Sequence, residues 1–381
     1  MKIGMVLPYS IAHGGGVKEI AFAMQKELNR RGHEVYIITP QPRGTEVVVK
    51  DHTILVGVSA DFHWAPLHTT VQISSSEGEE IDALLAEYQF DVLHFHEPWV
   101  PVLGRQILTR SQTANVATFH GSLPDGIISQ AFGKVVTPYT KPLLKYIDEF
   151  VAAGDVAAQY VCSLTDARVA IIPVGVDVQE YVPPKQFKED RKNKTIFFVG
   201  RLENRKGVKH LLRAFQLLQA KRPEVSLVVA GNGPDRAKLT MMAEDLGLQN
   251  VTFTGFISNE DKIKYMQTSD LFCAPALYGE STGLVLLEAM ACGLPAVAGD
   301  NPGYSTVMQG LGAVSLVNPK HSEDFARRLE LMLYEKELRA IWRDWSAKEL
   351  PQYTYETIID QYEVIYAKAI AKHAEREREE A

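Results

Sequence analysis

The chain has 381 residues, too many for one ordinary core, and at about 100 to 200 residues per domain it is expected to fold as two domains. Hydrophobic residues make up 46% and charged residues 23%, the balance of a folded globular protein, while a net charge of -7 excludes the basic field of a general nucleic-acid binder. Cys162, Cys273 and Cys292 are odd in number and sit among apolar or small residues, which excludes a secreted disulfide scaffold and points to a reducing cytoplasm.

In MKIGMVLPYS the apolar run is too short for a signal peptide or a spanning helix, and no later segment is long enough, so membrane contact is expected to be peripheral at most. Short apolar runs bounded by Gly, Pro and Asp then alternate with amphipathic stretches, the order of βαβ units around a parallel sheet. Residues 2–7 read as a buried strand, 16–31 as a helix and 34–39 as the next strand. Strands at 91–96 and 116–120, helices at 138–147 and 156–162, and a strand at 169–172 complete the first set. Residues 173–194, PVGVDVQEYVPPKQFKEDRKNK, bear prolines and then dense charge and read as a linker. The rhythm restarts with strands at 195–199, 225–230, 251–254 and 271–274 and helices at 208–220 and 236–246. Helices at 325–333, 338–349 and 355–371 follow without strands, and such a tail can pack back across the first domain. The final AKHAEREREEA is charged at nearly every position and reads as a fraying, solvated helix end.

The richest segment is GESTGLVLLEAM, residues 279–290, where Glu280 and Glu288 lie eight positions apart. On one continuous helix they would stand roughly 12 Å apart, at about 1.5 Å per residue, beyond the roughly 5 to 9.5 Å of a glycosidase pair. They suit the two ends of one long ligand instead, and a nucleotide sugar has that shape. Ser281, Thr282 and Gly283 are placed to start the helix and offer backbone N–H groups to a phosphate.

Four other stretches sit just after strands, where open α/β sheets bind ligands. In PYSIAHGGGV, Gly14, Gly15 and Gly16 let the backbone approach a phosphate, although the pattern is not a dinucleotide fingerprint. In FVGRLENRKGVKHLL, Arg201 and Lys206 can bracket a diphosphate without a metal. His120 ends VATFH at a ligand-facing strand end, and AGNGPD places Gly231 in a further loop. His94 and His96 alternate on VLHFHEP and so share a face; with Glu97 they admit a metal site, but no third ligand follows at a recognisable spacing and a structural role is preferred.

In this order, GGGV, FHG, GRLENRKG, GNGP and GESTGLVLLEAM, the chain resembles a retaining glycosyltransferase of family 4 with the two-domain GT-B architecture, over residues 1–366. At GMVLPYS, FDVLHFHEP, VATFH and CAPALYGES it is similar to bacterial phosphatidylinositol mannosyltransferases. The resemblance implies two Rossmann-like doubly wound domains facing a cleft: residues 1–172 on the acceptor side, completed by a C-terminal helix at 353–381, and residues 195–352 for the nucleotide sugar. It implies that Gly15 and Gly16 approach the donor phosphate, that Arg201 and Lys206 neutralise the diphosphate, that Glu280 positions the transferred sugar, that Glu288 holds the ribose and that His120 contacts the sugar. Gly231, Ser281, Thr282, Gly283 and Leu284 complete the expected donor site, and Tyr9, His13 and His96 are the expected acceptor contacts.

The expected reaction moves a hexose from GDP-mannose or UDP-glucose to a hydroxyl acceptor, a soluble sugar, an inositol derivative or a lipid-linked group, by front-side attack in which the leaving phosphate takes the acceptor's proton. No essential cofactor, protein nucleophile or metal ligand is assigned; Mg2+ is admissible on the diphosphate, no nucleic acid is involved, and the location is cytoplasmic or peripheral at the inner membrane face. A nucleotide-binding protein on a decayed enzyme scaffold would have lost Glu280, Arg201 or Lys206, and all three are present. A phosphorylase would need a cofactor lysine that no motif identifies. Two departures stand out: Val174 replaces the usual Asn of the interdomain segment, and SSSEGEEIDALLAEY stands where lipid-acting relatives carry a basic helix.

Overall fold

The computed structural model describes residues 1–11, 16–41, 51–64, 69–98, 100, 102–121, 137–187 and 191–380. Two compact units divide the chain, unit 1 comprising Met1–Val174 with Tyr355–Ala381 and unit 2 comprising Gly175–Thr354.

Unit 1 contains strands β1 (Lys2–Val6), β2 (Glu34–Gln41), β3 (Thr53–Trp64), β4 (Thr69–Ser75), β5 (Val92–His96), β6 (Ala114–Phe119), β7 (Glu149–Ala152) and β8 (Val169–Ile171), with helices α1 (Gly16–Arg30), α2 (Gly78–Tyr88), α3 (Leu103–Leu108) and α4 (Asp155–Cys162). They form one sheet in the order β4-β3-β2-β1-β5-β6-β7-β8, parallel throughout except that β4 runs antiparallel to β3. Strands β1, β5 and β6 are almost wholly buried because both sheet faces are covered. The β3–β4 pair was not expected from the sequence and widens the first sheet by two strands.

Unit 2 contains β9 (Thr195–Val199), β10 (Ser226–Ala230), β11 (Val251–Gly255), β12 (Leu271–Ala274), β13 (Ala296–Gly299) and β14 (Leu316–Val317), with α5 (Val208–Lys221), α6 (Arg236–Asp245), α7 (Asn259–Thr268), α8 (Leu284–Ala291), α9 (Pro302–Val307), α10 (Ser322–Tyr334) and α11 (Lys336–Glu349). Its sheet has the order β11-β10-β9-β12-β13-β14, with every neighbouring pair parallel. Within the stretch 173–194, Val176 and Tyr181 are buried in unit 2 and the Tyr181 hydroxyl donates to Asn259 Oδ1 at 2.8 Å.

The chain returns to unit 1 through α12 (Tyr355–Glu380). Ile358, Ile359, Tyr362, Ile365, Tyr366 and Ala369 recur at helical spacing and are buried, so one apolar stripe seats the helix. The fraying end expected from the last eleven residues is not seen: α12 stays helical to Glu380, because Lys372 Nζ donates to the Asp148 carbonyl at 2.6 Å and Arg376 Nη1 pairs with Asp148 Oδ1 at 3.0 Å. The helix expected at 138–147 is in its second part a 3-10 turn, Lys141–Tyr146, in which Pro142 takes an early position.

Arg31 fastens α12 to α1. Its Nη1 donates to Asp360 Oδ1 at 2.6 Å and Glu363 Oε2 at 2.8 Å, its Nη2 to the Glu356 carbonyl at 2.7 Å, and its Nε to Glu27 Oε1 at 2.9 Å. Burial alone would raise the Glu363 carboxyl, but hydrogen bonds from His33 and Arg31 hold it below its usual value, and Arg30 together with Arg31 holds Glu27 down in the same way. Carboxylates depressed in the folded state stabilise fully above the usual glutamate value and lose that contribution as pH falls through the folded values. Arg31→Met should therefore destabilise by about 1.5 kcal/mol at neutral pH, the scale of a charged hydrogen bond, and by progressively less below about pH 4. Urea midpoints of both proteins at the two pH values measure this; an undiminished gap in acid would remove the carboxylates as the partners.

Candidate functional site

In unit 2 the sheet order runs outward in both directions from the β9–β12 pair, which is joined at Ile196↔Leu271 and Phe197↔Phe272. The loops that follow these two strands turn apart and leave a crevice at their C-terminal ends, where open α/β sheets hold ligands. Two backbone features stitch the loops together. Leu277 N–H donates to the Arg205 carbonyl at 2.8 Å, and Gly207, at φ +73, passes so close that a Cβ there would stand 1.9 Å from the Pro275 carbonyl oxygen. Only glycine fits both the left-handed backbone and the contact.

Charges alternate across this junction. Glu280 Oε1 accepts from Lys206 Nζ at 2.7 Å and from Arg205 Nη1 at 2.8 Å; Arg205 Nε pairs with Glu203 Oε1 at 2.6 Å, and Arg201 Nε lies 3.7 Å from Glu203 Oε2. Glu280 is nearly buried, with 11% of its side chain exposed, whereas Arg201 is 49% exposed and available to a ligand. Arg205 and Glu203 were not singled out in the sequence; their signal was the third cation and the carboxylate inside the same GRLENRKG loop. Behind Glu280, the turn into α9 closes in, because a Cβ on Gly303 would lie 1.9 Å from the Glu280 carbonyl oxygen. The buried Tyr304 hydroxyl beside it is pushed well up, first by burial and then by the Glu280 carboxylate.

Glu280 and Glu288 do not share a continuous helix: α8 begins at Leu284, and Glu280 stands in the loop before it. The helix start is not capped by Ser281 or Thr282 as the sequence suggested. Gly283, at φ +80, occupies the cap position with no side-chain cap bond, since a Cβ there would press on Tyr304 at 2.6 Å. Leu284 and the residue after it head the helix, whose first N–H groups have no helical acceptor. The Gly231 N–H donates to the Gly255 carbonyl at 2.7 Å, and its φ of +124 lets it lie against Gly200.

Glu288 is buried on α8, and its Oε1 accepts from Lys262 Nζ of α7 at 2.7 Å, with the ammonium 5.3 Å from the Tyr181 ring centroid. Lys262 is a third group that the sequence did not point to.

In unit 1 the corresponding divergence lies between β1 and β5. Gly16 heads α1, and among the described residues no atom stands within 4 Å of where its Cβ would be. His13 and Gly15, both expected in this loop, lie outside the described residues. Glu97 follows β5 with φ +53, an uncommon backbone for a carboxylate residue, and is buried. Its Oε1 accepts the backbone N–H groups of His120 and Gly121, so it clamps the end of β6. The Tyr9 hydroxyl is pushed up by burial and then by this carboxylate.

His94 and His96 do share a face, with ring centroids 4.3 Å apart. His94 Nε2 meets Thr118 Oγ1 at 2.7 Å and Nδ1 meets the Tyr366 hydroxyl at 2.9 Å, so both nitrogens are engaged in the core. His96 Nδ1 meets His120 Nε2 at 2.9 Å. Burial depresses all three rings, His94 to about 3 and His120 to about 4, which keeps them neutral. Among the described residues no group of three or more His, Cys, Asp or Glu side chains could hold a metal ion, and no helix is long and apolar enough to cross a membrane.

Residues 183–348 match the model described as Glycosyl transferases group 1, and residues 14–180 match Glycosyltransferase Family 4. Phosphatidyl-myo-inositol mannosyltransferase of Mycolicibacterium smegmatis is 30% identical over 368 residues, covering 96% of this chain and 93% of its own. The sucrose-phosphate synthase of Thermosynechococcus elongatus shares the fold at a TM-score of 0.77 and 20% identity, covering 97% of this chain and 99% of its own. Anabaena HepE in complex with UDP and glucose does so at a TM-score of 0.73 and 18% identity, covering 96% and 99%.

Breaking a buried ion pair by removing one partner costs about 3–5 kcal/mol, whereas replacing both partners by apolar groups is often neutral. Lys262→Met should thus be destabilising on that scale, and Lys262→Met with Glu288→Leu should recover most of the loss. Calorimetric melting of the three proteins decides it: equal losses in the single and double variants would mean that the pair does not carry the effect.

Proposed function

We propose that this chain, which belongs to glycosyltransferase family 4, transfers mannose from GDP-mannose to the hydroxyl of a polyol acceptor, forming an α-linkage with retention. The observation that carries this reading is the Arg205–Glu280–Lys206 cluster at the divergence of β9 and β12, where one carboxylate and two cations meet beside exposed Arg201. A nucleoside diphosphate needs cations on its phosphates, and a hexose needs a fixed acceptor for its hydroxyls. This junction offers both. Mannose as the transferred sugar is supported by the mannosyltransferase named above at 30% identity.

In the proposed reaction Arg201 and Lys206 neutralise the diphosphate, backbone N–H groups at the start of α8 with Ser281, Thr282, Gly283 and Leu284 hold it, and Glu280 positions the hexose. Lys206 has three N–H donors and can keep Glu280 while it reaches a phosphate oxygen. Glu288, held by Lys262, faces the ribose, and His120 serves a sugar oxygen. The bond from the anomeric carbon to the phosphate oxygen breaks as the acceptor oxygen bonds to that carbon on the same face, and the acceptor's proton passes to the leaving phosphate. Three cations against two carboxylates in the β9 loop and Glu280 leave a positive surplus for the diphosphate. Mg2+ can add to that charge without being required.

A soluble polyol is the acceptor that α2 favours. Ile81 and Leu84 of this helix are buried, while Glu77, Glu79, Glu80, Asp82 and Glu87 are exposed to solvent. Each basic residue at an anionic membrane contributes about 1 kcal/mol of attraction, and these five carboxylates oppose it.

Slow donor hydrolysis across a panel of nucleotide sugars tests the donor without knowledge of the acceptor. GDP-mannose should be cleaved fastest; preference for UDP-glucose would keep the transferase and replace the sugar, and no hydrolysis of any donor would end the reading. Arg201→Ala and Lys206→Ala should each weaken GDP binding roughly tenfold or more, since a charge-assisted hydrogen bond contributes about 1.5–3 kcal/mol. Calorimetric titration with unchanged affinity in both variants would remove these residues from the diphosphate site.

A further inference from the structure

His96 and His120 join through one hydrogen bond, Nδ1 to Nε2 at 2.9 Å, and their ring planes differ by only 10°. Both residues are buried, at 1% and 6% exposure. The other nitrogen of each ring, His96 Nε2 and His120 Nδ1, is buried with no hydrogen-bond partner among the described residues. Burial keeps both rings neutral, so each carries a single N–H proton, and the shared bond uses one of the two.

Two arrangements satisfy that count. In the first, His96 Nδ1–H donates to His120 Nε2, which puts the second proton on His120 Nδ1 and leaves a lone pair on His96 Nε2. In the second, His120 Nε2–H donates, which strands an N–H on His96 Nε2 and a lone pair on His120 Nδ1. The two unpartnered atoms are not equivalent in place. His96 pairs with Thr118 in register, and His120 lies two residues further along the chain, at the C-terminal end of β6 where open sheets take ligands. His120 thus stands nearer than His96 to the end of the sheet where a ligand enters. Either arrangement leaves one buried N–H without a partner among the described residues; the first places it on His120, nearer the strand end where a ligand can meet it, and a buried N–H left permanently unmet is rarer in proteins than an unmet acceptor. His94 cannot take over this task, because Thr118 and Tyr366 already engage both of its nitrogens.

We infer that His96 is a positioning residue: it locks His120 as the Nδ1–H tautomer, so that His120 presents a fixed N–H donor to an oxygen of the sugar ligand. This role is additional to the acceptor contact expected of His96. The identity of the ligand rests on the transferase reading; the tautomer does not.

The test uses the full chain with His96→Phe, which fills the space without a donor, and His96→Asn, whose side-chain amide can stand where Nδ1 stands. Nitrogen-15 NMR of histidine-labelled protein should find His120 as a single Nδ1–H tautomer in the wild type and in His96→Asn, and as a mixture in His96→Phe. For donor turnover, His96→Phe should lower kcat at least about tenfold, the worth of one hydrogen bond, with KM changed less than about twofold, and His96→Asn should stay within about threefold of wild type. An Nε2–H wild-type His120, or the same tautomer and kcat in His96→Phe, overturns the proposal. Should His96→Phe fail to fold, His96→Asn decides: it must keep both the Nδ1–H tautomer and near-wild-type kcat, and loss of either sinks the idea. If wild type turns over no nucleotide sugar, the donor reading fails while the NMR result still judges His96. Full activity in His120→Ala would instead remove His120 from the reaction and leave its tautomer control intact.

Discussion

A parallel sheet whose crossovers run outward in both directions must contain one pair of neighbouring strands whose following loops diverge, and the chemistry of each unit hangs on that constraint. In unit 2 the pair is β9 and β12, and the loops that separate there carry Arg201, Arg205 and Lys206 on one side and Glu280 on the other. The loops could drift apart were they not stitched. Gly207 under Pro275 and Gly303 under Glu280 bring backbone within contact distance of backbone, so the charged side chains have little freedom left to lose when they pair.

That preorganisation explains how a nearly buried carboxylate is tolerated. A carboxylate removed from water is unfavourable by several kcal/mol unless its lone pairs are met. Two cations meet Glu280, and Glu203 in turn steadies one of them. The arrangement leaves Lys206 with donors to spare and Arg201 with solvent around it. Glu288 and Lys262 repeat the device more deeply, on two helices that frame the same edge of the sheet.

Legibility from the sequence followed how local each determinant is. The βαβ rhythm, the Gly-bearing loops and the amphipathic stripe of α12 are set by neighbours within one or two helical turns, and they were readable. β3 was not, because a left-handed Gly57 interrupts it where its pairing with β2 shifts register between Thr39 and Gln41. β13 escaped notice for another reason: Ala-Val-Ala-Gly is small and short, and only burial between two parallel neighbours makes it a strand. At the site, Glu280, Lys206 and Arg201 stood out through motif context. Arg205 did not, since which of three cations in a loop reaches a carboxylate 75 positions away is decided by the approach of two loops in space. Lys262 hides for the same reason on the face of an otherwise polar helix.

Unit 1 adds a further reason why the chain must return at its end. Polar side chains on β5 and β6 lie in the core, and strands alone cannot satisfy them, because the sheet hydrogen bonds consume only backbone groups. α12 supplies the missing partners: Tyr366 meets His94 Nδ1 at 2.9 Å, and Tyr362 meets Thr118 Oγ1 at 3.1 Å. Each such group left unsatisfied would cost about 1–3 kcal/mol, on the order of a substantial part of a domain's net stability. With His94 and Thr118 satisfied from the helix, the only side-chain nitrogens of this histidine cluster left without a partner among the described residues are the two that belong to His96 and His120. The last helix therefore does more than cover an apolar face: by meeting His94 and Thr118, it leaves the unmet nitrogens of this histidine cluster on His96 and His120 alone among the described residues.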